Sequence, residues 1–529
     1  MHFILNNIVL KLNDDESKLE KKIRVSLGLD NETSFSYRVI KKATDARKKN
    51  DILFIYSCLI DMNKEIDISN NKNAKSVSFY DKLDIPSFKM NKRPVIVGFG
   101  PSGMFLGLYL ARAGVKPIIL ERGRKVEDRE EDIRLFKEEG KFSSISNVCF
   151  GEGGAGTFSD GKLMTTLNDP RIRFIINEFI AHGAKEEIYY EAHPHIGSDY
   201  LKKVVKNIRE EIISLGGEVL FEALFNDFEI DENNQIKSIS YTKKGETFSL
   251  KTDDLALCIG HSARDTFKLL YDKKMHMEPK PFSMGVRVEM KQEEVNKSQY
   301  GKEYKNPKLK PAEYKLVTHL DNGRGVYTFC MCPGGIVSPS NTEENSIVSN
   351  GMSNFARDLE NANSALLVSV NVDDYYKNSP LDGMYFQEEI ERKAFSKEYP
   401  YYAPIQLVGD FLLNKESTKL GKVKPTYQPG VYFRKMDDIL PAFIVDSLRI
   451  GIPLLGNKMK ALKEYDNVLT GVETRSSSPI TIPRSIEGYS SINGIYPCGE
   501  GAGYAGGITS SSVDGLRIAE CIRKKYMGE

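Results

Sequence analysis

The sequence has no excess charge of either sign and no long apolar run. Its 74 Lys and Arg residues balance 73 Asp and Glu residues, which leaves a formal net charge of +1. Bulk charge therefore gives no reason to expect nucleic acid or a membrane surface as a partner. A membrane-spanning helix needs about 18 apolar residues in a row, which the chain lacks, and residues 1–7 do not resemble a signal peptide. These absences predict a cytoplasmic protein with no membrane partner, for which nucleic acid is disfavoured as a ligand.

Cysteine is sparse as well. The seven cysteines are scattered and odd in number, which favours reduced thiols over a disulfide framework. Paired Cys-x-x-Cys motifs are missing, so we expect no zinc or iron–sulfur site and no other metal. Cys330 and Cys332 form the only close pair. Two interpretations stay open for them: core cysteines on one face of a strand, or a disulfide or thiol relay.

The chain is too long for one ordinary core, so we expect several domains. Residues 1–90 are interpreted as a small α/β domain plus linker, with strands at 3–12 and 52–56, helices at 15–29 and 37–49, and a linker at 69–92. The predicted fold class is α/β: a Rossmann-like domain, an inserted mixed α+β domain and this small N-terminal α/β domain. The Rossmann-like domain takes residues 91–265 and 475–529, and the inserted substrate domain takes residues 266–474.

A glycine-rich turn carries the first chemical signal. Gly98-x-Gly100-x-x-Gly103, with Pro101 and Ser102 inside it, lies between the apolar run of residues 95–97 and a predicted helix. In this pattern the glycines give a tight turn, close approach to a pyrophosphate and close helix packing. Glu121, followed by Arg122, ends the next predicted strand, where a carboxylate binds ribose hydroxyls. Together these features predict an adenosine diphosphate group without a 2′-phosphate.

The C-terminal segment narrows the choice of dinucleotide. Residues 496–508 resemble the second FAD fingerprint of the two-domain flavoprotein superfamily with glutathione-reductase-like folds. The resemblance implies FAD, with Glu500 on the ribityl chain where that superfamily usually has Asp. It also places a helix N-terminus against the flavin ring, where it stabilises negative charge. The cofactor residues that it implies in this segment are Gly499, Glu500, Gly501, Gly506, Gly507 and Ile508.

Two further segments match the same superfamily. Residues 255–260, ending in Gly260, resemble its middle strand, and residues 219–224, ending in Leu224, occupy the place of the strand that meets adenine. Residues 149–163 form a second glycine cluster, which in related flavoproteins runs along the ribityl chain and the ring. By this resemblance Gly156 and Thr157 contact the cofactor and Lys162 lies near the flavin pyrimidine edge; a lid without direct contact is the alternative.

The whole pattern resembles a family of uncharacterised bacterial FAD-dependent dehydrogenases. The shared segments are residues 151–163, 192–197, 332–335, 473–479 and 499–507. The resemblance covers nearly the full chain and implies an FAD-dependent oxidoreductase. It implies no substrate.

The sequence does not identify the catalytic residues or the electron donor. A second glycine-rich βαβ turn is missing, so NAD(P)H bound transiently over the flavin and a different donor both remain open. His193 and His195 flank Pro194 and are candidates for acid–base chemistry or anion binding, against a structural role. Arg287, with Arg475 and Arg484, is a candidate for binding a substrate carboxylate, against structural ion pairing.

The leading functional hypothesis is an FAD-dependent dehydrogenase acting on an unknown small molecule, with its flavin between the Rossmann-like and inserted domains. One alternative is an RNA-linked flavoprotein that docks through basic residues of the N-terminal domain, for which a solvated helix face is the simpler interpretation; these residues are Lys41, Lys42, Arg47, Lys48 and Lys49. Another alternative is a noncatalytic flavoprotein whose FAD is structural or senses redox state.

Overall fold

The structure is a computed structural model that describes residues 1–77 and 83–528. Its N-terminal unit consists of β1 (His2–Lys11), α1 (Lys18–Leu27), β2 (Ser36–Asp45), β3 (Leu53–Asp61) and β4 (Ala74–Ser76). The strands pair antiparallel in the order β2-β3-β1-β4. The predicted linker of residues 69–92 includes residues 78–82, which lie outside the described residues.

The helix predicted at residues 37–49 is wrong, because β2 occupies most of this segment. β2 pairs with β3 along its whole length, from Ser36 opposite Asp61 to Asp45 opposite Leu53. Its lysines, read as one face of a helix, follow the β-branched pair Val39 and Ile40, which suits an extended strand. Pairing with a strand that is buried over most of its length outweighs the weak helical preference of the lysines.

The next part of the chain alternates strands and helices before a small antiparallel sheet. Its elements are β5 (Val95–Val97), α2 (Pro101–Arg112), β6 (Ile118–Leu120), α3 (Val126–Glu139), α4 (Arg171–Ala181), α5 (Ser198–Ser214), β7 (Glu218–Leu220), β8 (Ala223–Ile230), β9 (Ile236–Lys243), β10 (Glu246–Lys251), β11 (Leu255–Leu257) and α6 (Arg264–Asp272). From the sequence, residues 218–228 are predicted to form one strand after the glycine pair 216–217. The structure has two strands there, because Glu222 takes a left-handed backbone (φ 55°) and breaks the segment. β7 stays in the parallel sheet, whereas β8 joins β9 and β10.

Residues 278–473 build a second sheet with helices around it. The elements are β12 (Glu278–Pro279), β13 (Phe282–Lys291), α7 (Gln292–Tyr300), β14 (Val317–His319), β15 (Gly325–Cys332), β16 (Ile336–Pro339), β17 (Ser349–Met352), β18 (Asn361–Val370), α8 (Asp382–Ala394), β19 (Ala403–Leu407), α9 (Val408–Leu412), β20 (Val431–Phe433), α10 (Ala442–Lys458) and β21 (Val468–Glu473). Seven of these strands form one sheet in the order β14-β15-β18-β13-β21-β19-β20. The long strand β13 is buried over nearly all of its length, at the centre of this sheet.

The chain then returns to the first sheet through β22 (Ile480–Thr481), β23 (Ile495–Pro497) and α11 (Ile508–Met527). The parallel sheet has the order β23-β11-β5-β6-β7, so its two ends come from distant parts of the sequence. Ile96 of β5 packs into one apolar core and its neighbours Val95 and Val97 into another. This burial of both faces is what an α/β sheet requires. The fold is therefore mixed α/β with a parallel sheet.

No helix in the described ranges combines the length and the apolar character needed to cross a membrane.

Candidate functional site

Three glycine-bearing loops meet at the carboxyl edge of the parallel sheet. They follow β5, β11 and β23, which are neighbours in the sheet and run in the same direction. A Cβ on Gly98 would lie 2.2 Å from the Cys258 carbonyl oxygen, and one on Gly501 would lie 2.3 Å from the Gly260 carbonyl oxygen. Backbone thus packs on backbone at this edge, where open α/β sheets bind their ligands. We refer to these loops, with residues 151–157, as the glycine cradle.

Gly100 faces open space in the cradle. A Cβ there would have no neighbour closer than the Gly154 Cα atom, at 3.9 Å. Gly100 precedes Pro101, the first residue of α2, so the free N–H groups of the first turn of α2 lie beside this space. Gly103 has the opposite environment, since a Cβ there would lie 2.0 Å from the Gly98 carbonyl oxygen. Gly103 is therefore required by packing, whereas Gly100 leaves room for a ligand.

Glu121 organises the backbone of the cradle. Its Oε2 accepts the N–H of Phe99 at 2.9 Å, and its Oε1 accepts those of Gly123 (2.9 Å) and Gly151 (3.0 Å). A carboxylate offers about four acceptor sites, so about one remains for a ribose hydroxyl. Arg122 instead points along the surface, where it stacks over the Phe150 ring and pairs with Asp265 at 2.9 Å.

The second glycine cluster forms a short 3-10 helix, Gly154–Phe158, against the start of α11. A Cβ on Gly156 would lie 3.2 Å from the Ile508 side chain. Thr157 is buried and donates its hydroxyl to the Glu152 carbonyl oxygen at 3.1 Å. Gly156 thus lies where this segment of the cradle contacts α11, whereas the Thr157 hydroxyl stabilises the loop itself.

The C-terminal loop places a carboxylate without a protein donor in the cradle. Gly499 is fixed by Asp514, which accepts its N–H at 2.7 Å. The carboxylate of the next residue, Glu500, accepts no hydrogen bond within residues 1–77 and 83–528, whereas its carbonyl oxygen accepts the Gly503 N–H at 3.0 Å. Burial raises the pKa of Glu500 to about 7, against the opposing charge of Lys280. Gly506 and Gly507 are exposed just before α11, which begins at the buried Ile508.

Leu224 lies in β8, next to the carboxyl end of β6. The preceding residue, Ala223, donates its N–H to the Glu121 carbonyl oxygen at 3.0 Å. Leu224 itself is half-buried and pairs with Thr242 of β9. The predicted adenine-side residue is therefore close to Glu121, although it belongs to a different sheet from the other strands of the cradle.

A cluster of charges joins the loop after the second glycine cluster to the seven-stranded unit. Asp160 accepts two hydrogen bonds from Arg357, at 2.9 and 2.5 Å, and Arg357 also pairs with Glu313. Lys162 Nζ lies 3.9 Å from Glu313 and the His193 ring nitrogen lies 3.0 Å from it. Burial alone would raise the pKa of Glu313, but the His193 hydrogen bond and both cations outweigh burial and lower it. We call these five residues the Glu313 cluster.

The two histidines have different environments. His195 is buried; its ring nitrogen bonds to the Phe355 carbonyl oxygen at 3.0 Å, and its ring stacks on Phe355. Burial, followed by the nearby Arg357, lowers its pKa. These contacts match the structural alternative for His195. His193 is exposed and is the member of the pair that a second molecule can reach.

Arg287 is fully buried at the centre of β13. All five of its N–H groups are engaged within the protein: Glu473 takes two, Asn363, Asn350 and the Cys330 carbonyl oxygen take one each. No donor is left for a substrate carboxylate. Arg475 and Arg484 are likewise paired, with Glu391 and Asp514.

Cys330 and Cys332 do not share one face of β15. The pairing of β15 with β18 is irregular between Phe329 and Cys332, and Cys330 takes a left-handed backbone with φ 41°. Cys332 is buried, whereas Cys330 is exposed. Both cysteines are free thiols.

Sequence reasoning missed His261, which directly follows Gly260 at the end of the β11 loop. Burial, then Arg475 and Arg264, lowers its pKa to about 4. Both arginines bond to the buried Glu391, at 2.9 and 2.8 Å. The one sequence signal was its position after a predicted cofactor glycine.

The described residues contain one grouping with donor atoms as close as metal ligands. It consists of Glu178, His182 and Glu211, with the donor atoms within 4.8 Å of one another. Arg112 bonds to both carboxylates, at 2.7 and 2.6 Å. His182 Nε2 lies 2.8 Å from the Glu211 carboxylate, and its Nδ1 lies 2.7 Å from the Glu178 carbonyl oxygen. The arginine therefore supplies the positive charge that this grouping needs.

Comparison with known proteins gives a family. The chain is 46% identical over 531 residues to an uncharacterised protein of Clostridium beijerinckii, covering 99% of this chain and 98% of that protein. The chain belongs to the same family as this clostridial protein. Residues 281–476 match the model of a domain described as "FAD-dependent protein, C-terminal domain-like", and residues 2–61 match a domain of unknown function.

Solved structures resemble the fold only distantly. A triple mutant of a flavin-dependent brominase shares 12% identity, with 83% of this chain and 81% of that chain covered and a TM-score of 0.39. A glycine oxidase from Bacillus cereus shares 11% identity, with 82% and 96% covered and a TM-score of 0.34. Similarity at this level carries no argument about activity.

The matched domain family is FAD-dependent, and the geometry of the cradle suits the same cofactor, FAD. The residues present fit it: Gly100 faces open space beside the first turn of α2, and the Glu500 carboxylate has no hydrogen-bond donor among the described residues. A pyrophosphate suits the first feature and ribityl hydroxyls suit the second.

Proposed function

We propose that the chain is an FAD-dependent oxidoreductase with a glutathione-reductase-like cofactor domain. In this proposal residues 91–265 and 475–529 bind FAD, residues 266–474 form an inserted substrate domain, and residues 1–90 form an N-terminal domain with its linker. The observation that carries the proposal is the meeting of three glycine loops at one sheet edge, next to the Glu500 carboxylate. The flavin ring then lies between this edge and the seven-stranded sheet.

Each part of the cradle has a proposed role in holding FAD. Gly100 and the first turn of α2 hold the pyrophosphate, while Gly98 and Gly103 allow the close packing that shapes this turn. The remaining acceptor site of Glu121 takes a ribose hydroxyl. Glu500 accepts hydrogen bonds from the ribityl chain, and the exposed N-terminus of α11 faces the ring. Bound FAD supplies the acceptor for an electron pair taken from the substrate.

The Glu313 cluster provides the groups that contact the substrate. Lys162 is partly exposed and His193 is exposed, and both neighbour the same carboxylate, Glu313. An ammonium group beside an imidazole suits a small anionic or hydroxyl-bearing substrate, with the imidazole able to take or give a proton. We therefore assign substrate contact to Lys162 and His193, and structural roles to His195 and Arg287.

The electron donor is the open part of the proposal, since the chain carries a single glycine-rich turn of this type. NAD(P)H bound transiently over the flavin is one donor, and a small organic substrate is the other. The test is stopped-flow reduction of the FAD-loaded protein without oxygen, with NADH and NADPH compared first. The flavin of the Lys162→Met variant should be reduced more slowly than that of the wild type. The exposed control Lys64→Met should show the wild-type rate.

A noncatalytic flavoprotein predicts a different result. Its flavin would be reduced photochemically but would then pass electrons to no acceptor and take them from no donor. That outcome would overturn the enzyme proposal and leave FAD as a structural or redox-sensing group.

A further inference from the structure

The sheet of the N-terminal unit has one covered face and one partly open face. Side chains alternate between the faces of a strand. Phe3, Leu5 and Tyr56 point into the apolar core beneath α1. Their neighbours Ser57 and Ile55 on β3 therefore lie on the opposite face, together with Lys41 of β2, which pairs with Ser57.

Two irregular pairings bend this sheet at one place. The register of β1 against β3 shifts between Leu5 and Ile8, and the register of β2 against β3 shifts between Val39 and Lys41. Both shifts lie opposite the segment around Ser57. An extra residue in a strand bends it and increases its twist, so two such sites flanking Ser57 make the open face concave. The hollow has a volume of about 460 Å³.

Positive charge dominates this hollow, which we call the lysine groove. Its polar lining consists of Asn6, Asn7, Lys41, Ser57, Lys72 and Lys75. All three lysines are exposed.

None of the three lysines has an ion pair or a side-chain hydrogen bond to residues 1–77 or 83–528. By contrast, the neighbouring Lys42 pairs with Glu16 at 2.7 Å, and Asp45 is held by Arg47 at 2.6 Å. No carboxylate lines the groove within the described residues. Three unpaired ammonium groups around one hollow attract a multiply charged anion.

The remaining lining favours a small molecule over a polymer. Hydrogen bonds fix both asparagine amides: Ser57 donates to Asn6 at 2.8 Å, and Asn7 donates to the Asn73 side chain at 2.9 Å. Ile55 and Ala43 give the groove an apolar floor. Its volume is within the range of roughly 300–1,000 Å³ that small-molecule sites occupy. Among residues 1–77 and 83–528 no aromatic side chain lines the groove, and proteins that bind single-stranded nucleic acid rely on such rings for stacking.

We propose that the lysine groove binds a small molecule that carries two or more phosphate groups, of about the size of a nucleotide. Lysine ammonium groups bind phosphate as point charges. The amides and the apolar floor then contact the rest of the ligand. This site is built from the N-terminal strands and uses none of the cradle residues, so it does not depend on the proposed function.

The test is isothermal titration calorimetry of the full chain, kept saturated with FAD so that the cradle is filled. The probes are ADP, inorganic pyrophosphate and a short single-stranded RNA. We expect ADP and pyrophosphate to bind, with an affinity that falls as salt is added. Replacing Lys41, Lys72 and Lys75 together by Gln should weaken both at least about tenfold, as expected for the loss of charge-assisted hydrogen bonds.

A matched control loses the same charge elsewhere. Lys21, Lys22 and Lys64 are exposed lysines outside the groove, and changing all three to Gln should leave both affinities unchanged. Thermal unfolding checks that the groove variant folds, and the single variant Lys72→Gln gives a smaller loss in the same direction. Absence of binding at millimolar probe, or equal binding by the groove variant, would overturn the proposal. RNA that binds more tightly than ADP, with an affinity that grows with its length, would also overturn it and favour nucleic acid.

Discussion

At the scale of single residues, Glu121 has a role in the protein backbone as well as in the ligand site. Three backbone N–H groups depend on its carboxylate. We expect Glu121→Ala to destabilise the FAD-free protein by about 1–3 kcal/mol, the usual cost of leaving buried donors unpaired, and to weaken FAD in addition. Urea unfolding of the FAD-free protein measures the first effect. The exposed Glu246→Ala is the control, and unchanged stability of Glu121→Ala would mean that the carboxylate serves only the ribose.

Glu500 should give the FAD-free protein a pH dependence. Burial raises its pKa from 4.5 to about 7 in the folded protein. Between pH 4.5 and pH 7 the Glu500 carboxyl is ionised in the unfolded chain but still protonated in the folded protein. Its contribution to the stability of the folded protein is therefore full below pH 4.5 and is lost as the pH rises through 7.

We therefore expect Glu500→Gln to reduce the loss of stability between pH 5 and pH 8, by roughly 1–2 kcal/mol. Calorimetric unfolding of the FAD-free wild type and variant at both pH values measures the difference. The exposed Glu246→Gln should leave the pH dependence as it is in the wild type. A Glu500→Gln profile that parallels the wild type would show that Glu500 is solvated in the absence of FAD.

At the scale of elements, the two helices that begin at the cradle pack through a shared apolar core and approach most tightly at Gly515. A Cβ on Gly515 of α11 would lie 2.2 Å from the Ser102 carbonyl oxygen of α2. In an exposed helix Gly→Ala stabilises by up to about 1 kcal/mol. Here we expect Gly515→Ala to destabilise the protein by about 1–3 kcal/mol, because the helices must move apart, and to weaken FAD.

Chemical unfolding followed by circular dichroism measures the Gly515→Ala effect, and Lys524→Ala on the exposed end of α11 is the control. The opposite sign, a gain in stability, would show that α11 shifts without cost and that the contact does not position the cradle.

Elements with a strong local pattern were predictable from sequence, and those decided by partners were not. The turn of residues 98–103 and the helix after it follow from spacing alone, because three glycines at those positions have few structural solutions. β2 was mistaken for a helix, since its lysines gave no sign of the neighbouring strand. The break at Glu222 was also missed, because a left-handed glutamate has no sequence signature.

At the scale of the whole molecule, distant segments meet in ways that no local pattern reveals. The Glu313 cluster joins Asp160, Lys162 and His193 to Glu313 and Arg357. His193 and Lys162 were selected from the sequence, but their common partner Glu313 was not. His261 was missed for the same reason, because its arginine neighbours come from α6 and from the segment after β21. Ion pairs between segments that are far apart in the sequence can be identified only once the fold is known.

The central claim is that FAD lies in the glycine cradle, and Gly100 tests it most directly. Its backbone has φ −81° and ψ −174°, an extended conformation that valine adopts, and a Cβ there meets nothing within 3.9 Å. The variant Gly100→Val should therefore fold while filling the space for the pyrophosphate. The measurement is titration of FAD into FAD-free protein, with unfolding followed on the same samples. The account predicts one FAD per wild-type chain and none for a folded Gly100→Val protein; wild-type FAD affinity in that variant would contradict it.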